Sequence, residues 1–507
     1  MNTWELLASG FGVLLQPTML LMSFLAVVMG TIFGALPGVS ATMAVALGLP
    51  FTYGMQPIPA IVFLVAIYCS SITGGSITAI LFKIPGVPSS APTTFDGYPM
   101  AKKGQAGKAL GIALGTSAVG GLFSAFAMFL LSPQLTKAAL SFGPSELFAV
   151  TFMGLSILTC LDSDNILRTI ISGLIGLLLA CVGQDPMYAV QRLTYGSREL
   201  LAGVEMIPVL IGIFAVTEVV RQTAKNDRLS ADQGIGGGKV NTEMPSWKEW
   251  WSIKWVMLRC SIIGTIVGIL PGAGATIASF LCYSTETKFS KHPELFGTGI
   301  IDGVAASETA NNAATGGAMV PLLSLGIPGG NAAAVMMSAL VLKGVQLGPL
   351  LLVNQPEYLS ATFASMIFAN IVMVIVAIGV AKIFAQILSI PYSYLGPIII
   401  MLATIGSWAT SMNIMDVKIM AIAGIAGVLF KVCKFNSAAM ILGLVLGTIC
   451  EGNFSRAFTI SRGNIGGMFT NSWITIVLMI VCMTTLIYPV VAPQIKKLRG
   501  KAKGNAA

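Results

Sequence analysis

The sequence predicts an all-α polytopic membrane protein of about 11–13 transmembrane helices, built as two homologous, inverted repeats with discontinuous or re-entrant helices. The first observation behind this prediction is composition: 10% of the 507 residues are charged and 55% are hydrophobic, whereas a soluble domain has roughly 25% charged residues. So few charges cannot cover a water-soluble surface. The second observation is a stretch containing Leu-Pro-Gly that occurs twice in the chain.

Long uncharged stretches show where the membrane-spanning helices lie. There is no charged residue between Glu5 and Lys83, and residues 309–342, 358–381 and 463–495 are also uncharged. About 20 apolar residues cross the hydrocarbon core, so the longest stretch must hold more than one span. The pattern predicts a short interfacial helix in residues 1–16 and spans at residues 18–36, 59–82, 109–131, 147–161, 166–182, 205–220, 253–270, 302–325, 359–384, 394–409, 417–430, 437–450 and 473–491.

The net charge is +9, and basic residues cluster in residues 221–254 and in the tail 496–503. Short loops rich in Lys and Arg stay in the cytoplasm, and a patch for anionic membrane lipid would have the same location. The basic residues do not interleave with aromatic ones as a nucleic-acid surface requires. The only histidine, His292, excludes a histidine-based metal site or catalytic triad.

An internal repeat organises the chain. The stretch from Gly34 to Thr42 recurs 234 positions later as Gly268 to Thr276, Thr73-Gly74-Gly75 aligns with Thr315-Gly316-Gly317, and Ile84-Pro85-Gly86 aligns with Ile327-Pro328-Gly329. Lys103-Gly104 and Lys343-Gly344 continue the series. The predicted divisions are a first repeat half at 1–221, a cytoplasmic linker at 222–250, a second repeat half at 251–470, and an extra helix with a basic tail at 471–507.

The orientation of the repeats follows from their number of crossings. If linker and tail are both cytoplasmic and one extra helix follows the second half, each half has an odd number of spans. Such halves are inverted relative to each other. Repeated halves with interrupted apolar segments at matching positions mark the binding site of a transporter.

The breaks suit a carboxylate. Non-helical backbone within a membrane survives only where protein or a water-filled cavity surrounds it, and a helix that starts there offers free N–H groups and a positive dipole end. Carbonyls at the unwound ends suit a hard cation such as Na⁺. The substrate-binding candidates are Pro37, Gly38, Ser40, Thr42, Thr73, Gly74, Gly75, Pro271, Gly272, Gly274, Thr276, Asn311, Asn312, Thr315, Gly316 and Gly317. The coupling-ion candidates are Ser71, Ser76, Ser307, Glu308 and Asn312.

Structural roles compete with these functional ones. Asn311 and Asn312 could instead form hydrogen bonds between packed helices, and the paired glycines with Thr73 and Thr315 could mark close helix packing. Glu308 and Asp302 could be coupling carboxylates or only caps near a helix start.

Several motifs together resemble the large membrane subunit of the bacterial tripartite tricarboxylate transporters over nearly the whole chain. They are the two Leu-Pro-Gly-x-x-Ala-Thr stretches (36–42 and 270–276), Ile84-Pro85-Gly86-Val87-Pro88, the run 95–101 with Lys102, Lys103 and Lys108, and Glu308-Thr309-Ala310-Asn311-Asn312-Ala313-Ala314. The resemblance implies a multi-pass subunit of the bacterial inner membrane that imports a carboxylate such as citrate by Na⁺ symport. It also implies a small four-helix membrane subunit and an extracytoplasmic solute-binding protein as partners.

Other classes remain as alternatives. A stand-alone organic-anion transporter or exporter of the same fold would lack the two partners. A passive channel explains the 56 glycines but not the duplicated breaks. An intramembrane enzyme needs a nucleophile with a base, or metal ligands, at depth, and no such set is evident. We therefore expect no catalytic residues, no organic cofactor, and no metal other than Na⁺.

Overall fold

The computed structural model describes residues 3–36, 39–161, 166–185, 190–225, 244–272, 274–387, 392–470 and 472–486. These residues form helices and one short antiparallel pair of strands, β1 (Gly183–Gln184) and β2 (Gln191–Arg192). The helices are, in chain order, α1 (Thr3–Leu14), α2 (Pro17–Ala35), α3 (Ala41–Thr52), α4 (Pro57–Phe82), α5 (Thr93–Met100), α6 (Ala106–Ala139), α7 (Pro144–Leu161), α8 (Ile166–Ala180), α9 (Met206–Ile211), α10 (Thr217–Lys225), α11 (Trp247–Ser252), α12 (Lys254–Ile269), α13 (Gly274–Phe289), α14 (Ile301–Leu325), α15 (Asn331–Leu342), α16 (Pro349–Asn354), α17 (Glu357–Ile387), α18 (Tyr392–Ser411), α19 (Ile414–Val432), α20 (Ser437–Ile460), α21 (Ile465–Thr470) and α22 (Trp473–Leu486). Short 3₁₀ turns lie at Pro88–Ser90 and Pro293–Leu295, and π-helical turns at Ala101–Gln105 and Gly212–Val216.

The prediction of a polytopic helical membrane protein is confirmed. Four stretches of the described residues are long and apolar enough to cross a membrane: Pro17–Ala35, Pro57–Phe82, Thr93–Ala139 and Glu357–Ala381. Other apolar helices have only 10–17 residues, which fits the predicted discontinuous segments. The predicted linker and basic tail fall largely outside the described residues.

The chain packs as two compact units. The first contains residues 1–137 and 207–428, and the second contains residues 138–206 and 429–507. In the second unit Gly176 of α8 lies against the backbone of Met440 in α20, and Arg192 forms an ion pair with Glu451. Each predicted repeat half contributes residues to both units. The proposed sites and breaks all belong to the first unit.

The two repeats have the same local packing. In the first repeat α2 packs on α4, and a Cβ added to Gly34 would lie 1.9 Å from the Ser71 carbonyl oxygen. In the second repeat α12 packs on α14, and a Cβ added to Gly268 would lie 2.5 Å from the Ala314 carbonyl oxygen. Because only glycine permits such a close approach of two backbones, the structure supports the duplication.

The packing corrects one part of the repeat alignment. Gly74 lies against the Thr31 carbonyl and Gly317 against the equivalent Thr265 carbonyl, so Gly74 is equivalent to Gly317 and not to Gly316. The left-handed C-caps of α4 and α14, Lys83 (φ 59°) and Gly326 (φ 70°), keep the same offset of 243 positions. The predicted match of Thr73-Gly74-Gly75 with Thr315-Gly316-Gly317 is therefore wrong by one residue. The sequence allows this error because two consecutive pairs of small residues, Gly316-Gly317 and Gly317-Ala318, can each be aligned with Gly74-Gly75.

Helices near the centre of the first unit cross in opposite directions. From α4 to α14, Cys69 Sγ bonds Thr315 Oγ1 at 3.8 Å and Thr73 Oγ1 bonds Asn312 Oδ1 at 3.2 Å. Residue numbers rise along α4 as they fall along α14, so the two helices run in opposite directions where they cross. A twofold axis in the membrane plane makes equivalent helices antiparallel, so this crossing fits the predicted inverted repeats.

Candidate functional site

A buried chain of polar side chains runs through the crossing of α4 and α14. Thr73 donates to Asn312 Oδ1 at 3.2 Å, Asn312 Nδ2 donates to Asn311 Oδ1 at 2.9 Å, and Asn311 Nδ2 donates to Glu308 Oε2 at 3.1 Å. All four residues are fully buried. The first hydrogen bond joins the two repeats. The structure thus brings together three of the predicted substrate-binding residues and a predicted coupling carboxylate.

Glu308 completes this chain with partners from the first repeat. Thr93, just after the Pro88–Ser90 turn, donates to Glu308 Oε1, and Ser117 of α6 donates to Oε2 at 3.0 Å. Ser307 Oγ lies 3.0 Å from Thr93 Oγ1. The side chains that hydrogen-bond Glu308 in the described part of the chain are all uncharged.

The hydroxyls of the other coupling-ion candidates, Ser71 and Ser76, do not take part in this chain of side-chain hydrogen bonds and donate to backbone carbonyls instead. Ser71 donates to the Tyr68 carbonyl at 2.9 Å and Ser76 to the Thr73 carbonyl at 2.6 Å, both within α4. Thr315 likewise donates to the Asn312 carbonyl at 2.7 Å within α14. Asp302 lies in the first turn of α14, where its carboxylate faces the positive end of the helix dipole.

At the second Leu-Pro-Gly break, two helix N-termini meet. The Gly272 N–H donates to the Gly329 carbonyl at 3.1 Å, and a Cβ added to Gly330 would lie 3.5 Å from Gly274 Cα. Gly274 begins α13, and Gly330 precedes α15. The buried Oδ1 atom of Asn331, the first residue of α15, has no hydrogen-bond partner among the described residues. Thr276 is half-buried in the first turn of α13, and Pro271 is buried beside the break.

The first break has a related local arrangement. Ser40 caps α3 by accepting from the Met43 N–H at 3.1 Å, and Thr42 is buried in the first turn. The Gly86 N–H donates to the Gly75 carbonyl at 3.2 Å. As at the second break, the Ile-Pro-Gly loop is therefore hydrogen-bonded to a segment of its own repeat. Pro37 and Gly38 lie outside the described residues. The prediction that the two breaks enclose one ligand therefore stays a prediction.

Close helix packing accounts for the paired glycines. A Cβ at Gly74, Gly316 or Gly317 would lie 2.3–2.5 Å from a backbone oxygen of a neighbouring helix, and a Cβ at Gly75 would lie 2.4 Å from Val87. These positions need glycine whether or not a ligand is present. Their predicted contact with substrate stays a prediction.

The two Lys-Gly pairs have equivalent contacts. Lys103 Nζ donates to the Thr298 carbonyl, and Lys343 Nζ donates to the Met55 carbonyl, each at 2.7 Å. Thr298 lies between α13 and α14, and Met55 lies between α3 and α4. Each lysine therefore contacts the interhelical loop of the opposite repeat, which extends the duplication beyond the breaks.

Asp96 holds the loop that leads into α14. Its Oδ1 atom accepts from the N–H groups of Gly297, Gly299 and Ile300 at 2.8–3.0 Å. Its Oδ2 atom accepts from the Tyr283 hydroxyl at 2.8 Å. Asp96 is fully buried, so it fixes the start of the helix that carries Glu308.

We expect Asp96→Ala to destabilise the first unit by about 1–3 kcal/mol, because three backbone N–H groups lose a buried acceptor. The measurement is the melting temperature of the purified protein in detergent. Tyr283→Phe removes one of the four hydrogen bonds and should lower the melting temperature less. A melting temperature for Asp96→Ala equal to or above that of Tyr283→Phe would contradict this role.

Four residues of the site are not predicted from the sequence: Thr93, Ser117, Asp96 and Asn331. Thr93 and Ser117 lie 215 and 191 positions from Glu308, so no local pattern links them. Asp96 was noted only as part of a motif. The sequence signals for its role are that Asp96 is the one charged residue in the run 95–101 and that the loop before α14 contains Gly297 and Gly299. Nothing in the sequence connects the two segments.

Comparisons with known proteins agree with these features. The model of the family described as "Tripartite tricarboxylate transporter TctA family" matches residues 20–442. An uncharacterized 52.8 kDa protein in the TAR-I ttuC' 3' region of Agrobacterium vitis is 37% identical over 465 residues, 92% of each chain. An uncharacterized protein in the TAR-II ttuC' 3' region of the same organism is 38% identical over 208 residues, 41% of this chain and 86% of the relative. No solved structure matches the chain.

Proposed function

Because the chain belongs to the tripartite tricarboxylate transporter TctA family, we propose that it is the membrane subunit of a binding-protein-dependent secondary active transporter that imports a small carboxylate. The substrate is a tricarboxylate such as citrate or a related organic acid. The subunit resides in the bacterial inner membrane. Its partners are a small four-helix membrane subunit and an extracytoplasmic solute-binding protein.

The observation that carries this proposal is the meeting of two helix N-termini at the second break. The first-turn N–H groups of α13 and α15 have no partner within their own helices, and both dipoles place positive charge at this point. These groups favour a carboxylate without an arginine. The partly buried Asn331, the first residue of α15, adds a side-chain amide whose NH₂ group can donate to the same ligand.

The polar chain at the helix crossing couples this site to transport. It connects α14 to α4, α6 and Thr93, and therefore to both repeats. Movement of one repeat against the other changes these hydrogen bonds. Such movement suits alternating access, and we propose Na⁺ symport with Ser71, Ser76, Ser307, Glu308 and Asn312 as candidate ligands of the coupling ion.

The test is uptake of radiolabelled carboxylates into proteoliposomes that contain this chain and the small membrane subunit. We expect accumulation only when the cognate binding protein is outside and an inward Na⁺ gradient is present, because the gradient supplies the driving force. The cargo is identified beforehand by the thermal stabilisation that each acid gives the binding protein. A matched control replaces the Na⁺ gradient with a K⁺ gradient at constant pH.

Two results would change the proposal. Equal accumulation without a Na⁺ gradient would reject sodium symport. Accumulation that does not need the binding protein would favour the stand-alone organic-anion transporter of the same fold.

A further inference from the structure

Glu308 is a buried carboxylate whose hydrogen-bond donors in the described part of the chain carry no charge. Thr93, Ser117 and Asn311 donate to its oxygens. Glu286, on the neighbouring α13, is also buried but is paired with the Arg259 guanidinium at 2.5–2.8 Å. Neutral hydrogen bonds offset only part of the free energy needed to bury a charge. Glu308 therefore needs either a proton or a bound cation to neutralise its charge.

The surrounding atoms are suitable ligands for a hard cation. The Glu308 carboxylate is joined by the hydroxyl oxygens of Thr93, Ser117 and Ser307, and each hydroxyl can accept as well as donate. The amide of Asn311 presents an oxygen in place of its NH₂ group if it and the Asn312 amide, which donates to Asn311 Oδ1, are both rotated by half a turn. The Thr73 hydroxyl then accepts from Asn312 instead of donating to it. Oxygen-only sites of this kind bind hard cations.

The charge of the site selects a monovalent ion. One carboxylate and one monovalent cation form a neutral pair, whereas a divalent cation would leave a net positive charge buried in the membrane, which is costly. We infer that Glu308, Thr93, Ser117, Ser307 and Asn311 form a binding site for one monovalent cation of the Na⁺ class. This inference rests on the proposed function and identifies the coupling-ion site within it.

The repeat relation indicates one such site per chain. With the offset of 243 positions established by the helix packing, Glu308 is equivalent to Val65, Ser307 to Leu64 and Asn311 to Tyr68. The first repeat therefore lacks the carboxylate at the matching position. Instead it supplies Thr93 and Ser117 to the site in the second repeat, so a bound cation would connect the two repeats.

The test measures cation binding without substrate or partner proteins. Purified protein in detergent is titrated with NaCl against N-methylglucamine chloride at constant pH and ionic strength, with the melting temperature and ²²Na⁺ equilibrium binding as readouts. We expect one sodium ion per chain and a melting temperature that rises with Na⁺ by mass action. Glu308→Gln should lose both responses, and Ser117→Ala should weaken Na⁺ binding roughly tenfold by removing one ligand.

Glu286→Gln is the matched control, because it removes a buried glutamate of the neighbouring helix that already has a basic partner. It should keep the Na⁺ response. Wild-type ²²Na⁺ binding in Glu308→Gln, or a wild-type protein whose melting temperature responds to pH but not to Na⁺, would overturn the inference. If the wild-type transporter shows Na⁺-driven uptake and Glu308→Gln binds ²²Na⁺ as the wild type does, this site is rejected and the proposed function stands. One sodium ion bound through Glu308 without Na⁺-driven uptake would reject symport and uphold the site.

Discussion

Gly272→Leu is expected to lower the initial rate of carboxylate uptake by roughly ten- to a hundredfold, in line with about 1–3 kcal/mol of backbone strain. Gly272 has a φ of 83°, a region that side chains other than glycine rarely adopt. Its N–H also holds the Gly329 carbonyl at 3.1 Å. Relief of the strain moves the backbone at the point where the N-termini of α13 and α15 meet. The measurement is uptake in proteoliposomes with the partner proteins present.

The control for this variant is Gly463→Leu, because Gly463 also has a positive φ, 80°, but belongs to the second unit. It should show the same type of strain and nearly normal uptake. The amounts of each protein in the vesicles must be equal. Normal uptake by a correctly inserted Gly272→Leu protein would remove the second break from the substrate site.

Long helices were predictable because hydrophobic length is recorded directly in the sequence. The spans predicted at 18–36, 59–82 and 302–325 correspond to α2 (Pro17–Ala35), α4 (Pro57–Phe82) and α14 (Ile301–Leu325). The helices α3, α13 and α15 were anticipated only as broken or re-entrant stretches. They have 12–16 residues, which is shorter than a membrane span, so hydrophobic length gives no signal for them.

The candidate site was predictable in part. Asn311, Asn312, Thr73 and Glu308 are polar residues in apolar stretches, and such residues usually face the interior of the bundle. The structure places them in one hydrogen-bonded chain. Thr93 and Ser117 were not predictable, because their proximity to Glu308 depends on how the repeats pack. A hydroxyl residue in a helix has many common structural roles, and only its tertiary contacts distinguish them.

The duplication was predictable, but its register was not fully so. The Leu-Pro-Gly match is specific because proline and glycine have strict backbone requirements. The Thr-Gly-Gly match is less specific, since small residues follow one another in α14. The register matters for chemistry: it pairs Asn312 with Cys69, so the polar residues of the second repeat have no polar copies of the same kind in the first.

This asymmetry leads to the expectation that Asn312→Ala abolishes concentrative uptake. Asn312 connects the repeats through its side chain: it accepts from Thr73 of α4 and donates to Asn311 of α14. Its removal leaves the Asn311 Oδ1 atom without this donor in a fully buried place, at a cost of about 1–3 kcal/mol. The Thr73 hydroxyl loses its acceptor on α14 and keeps only its contact with Met373 Sδ at 3.1 Å among the described residues. The measurement is Na⁺-driven uptake at matched protein levels.

Asn453→Ala provides the comparison, because among the described residues the Asn453 side chain donates to the Ile449 carbonyl of its own helix, α20, at 2.9 Å and to no other helix. It should retain most of the uptake. If Asn312 serves only to hold two helices together, its variant should have a lower melting temperature and keep Na⁺-dependent uptake at low temperature. If Asn312 couples the repeats during transport, uptake fails even where the protein remains folded and Na⁺ still raises its melting temperature. The two readouts therefore separate a packing residue from a coupling residue at the same position.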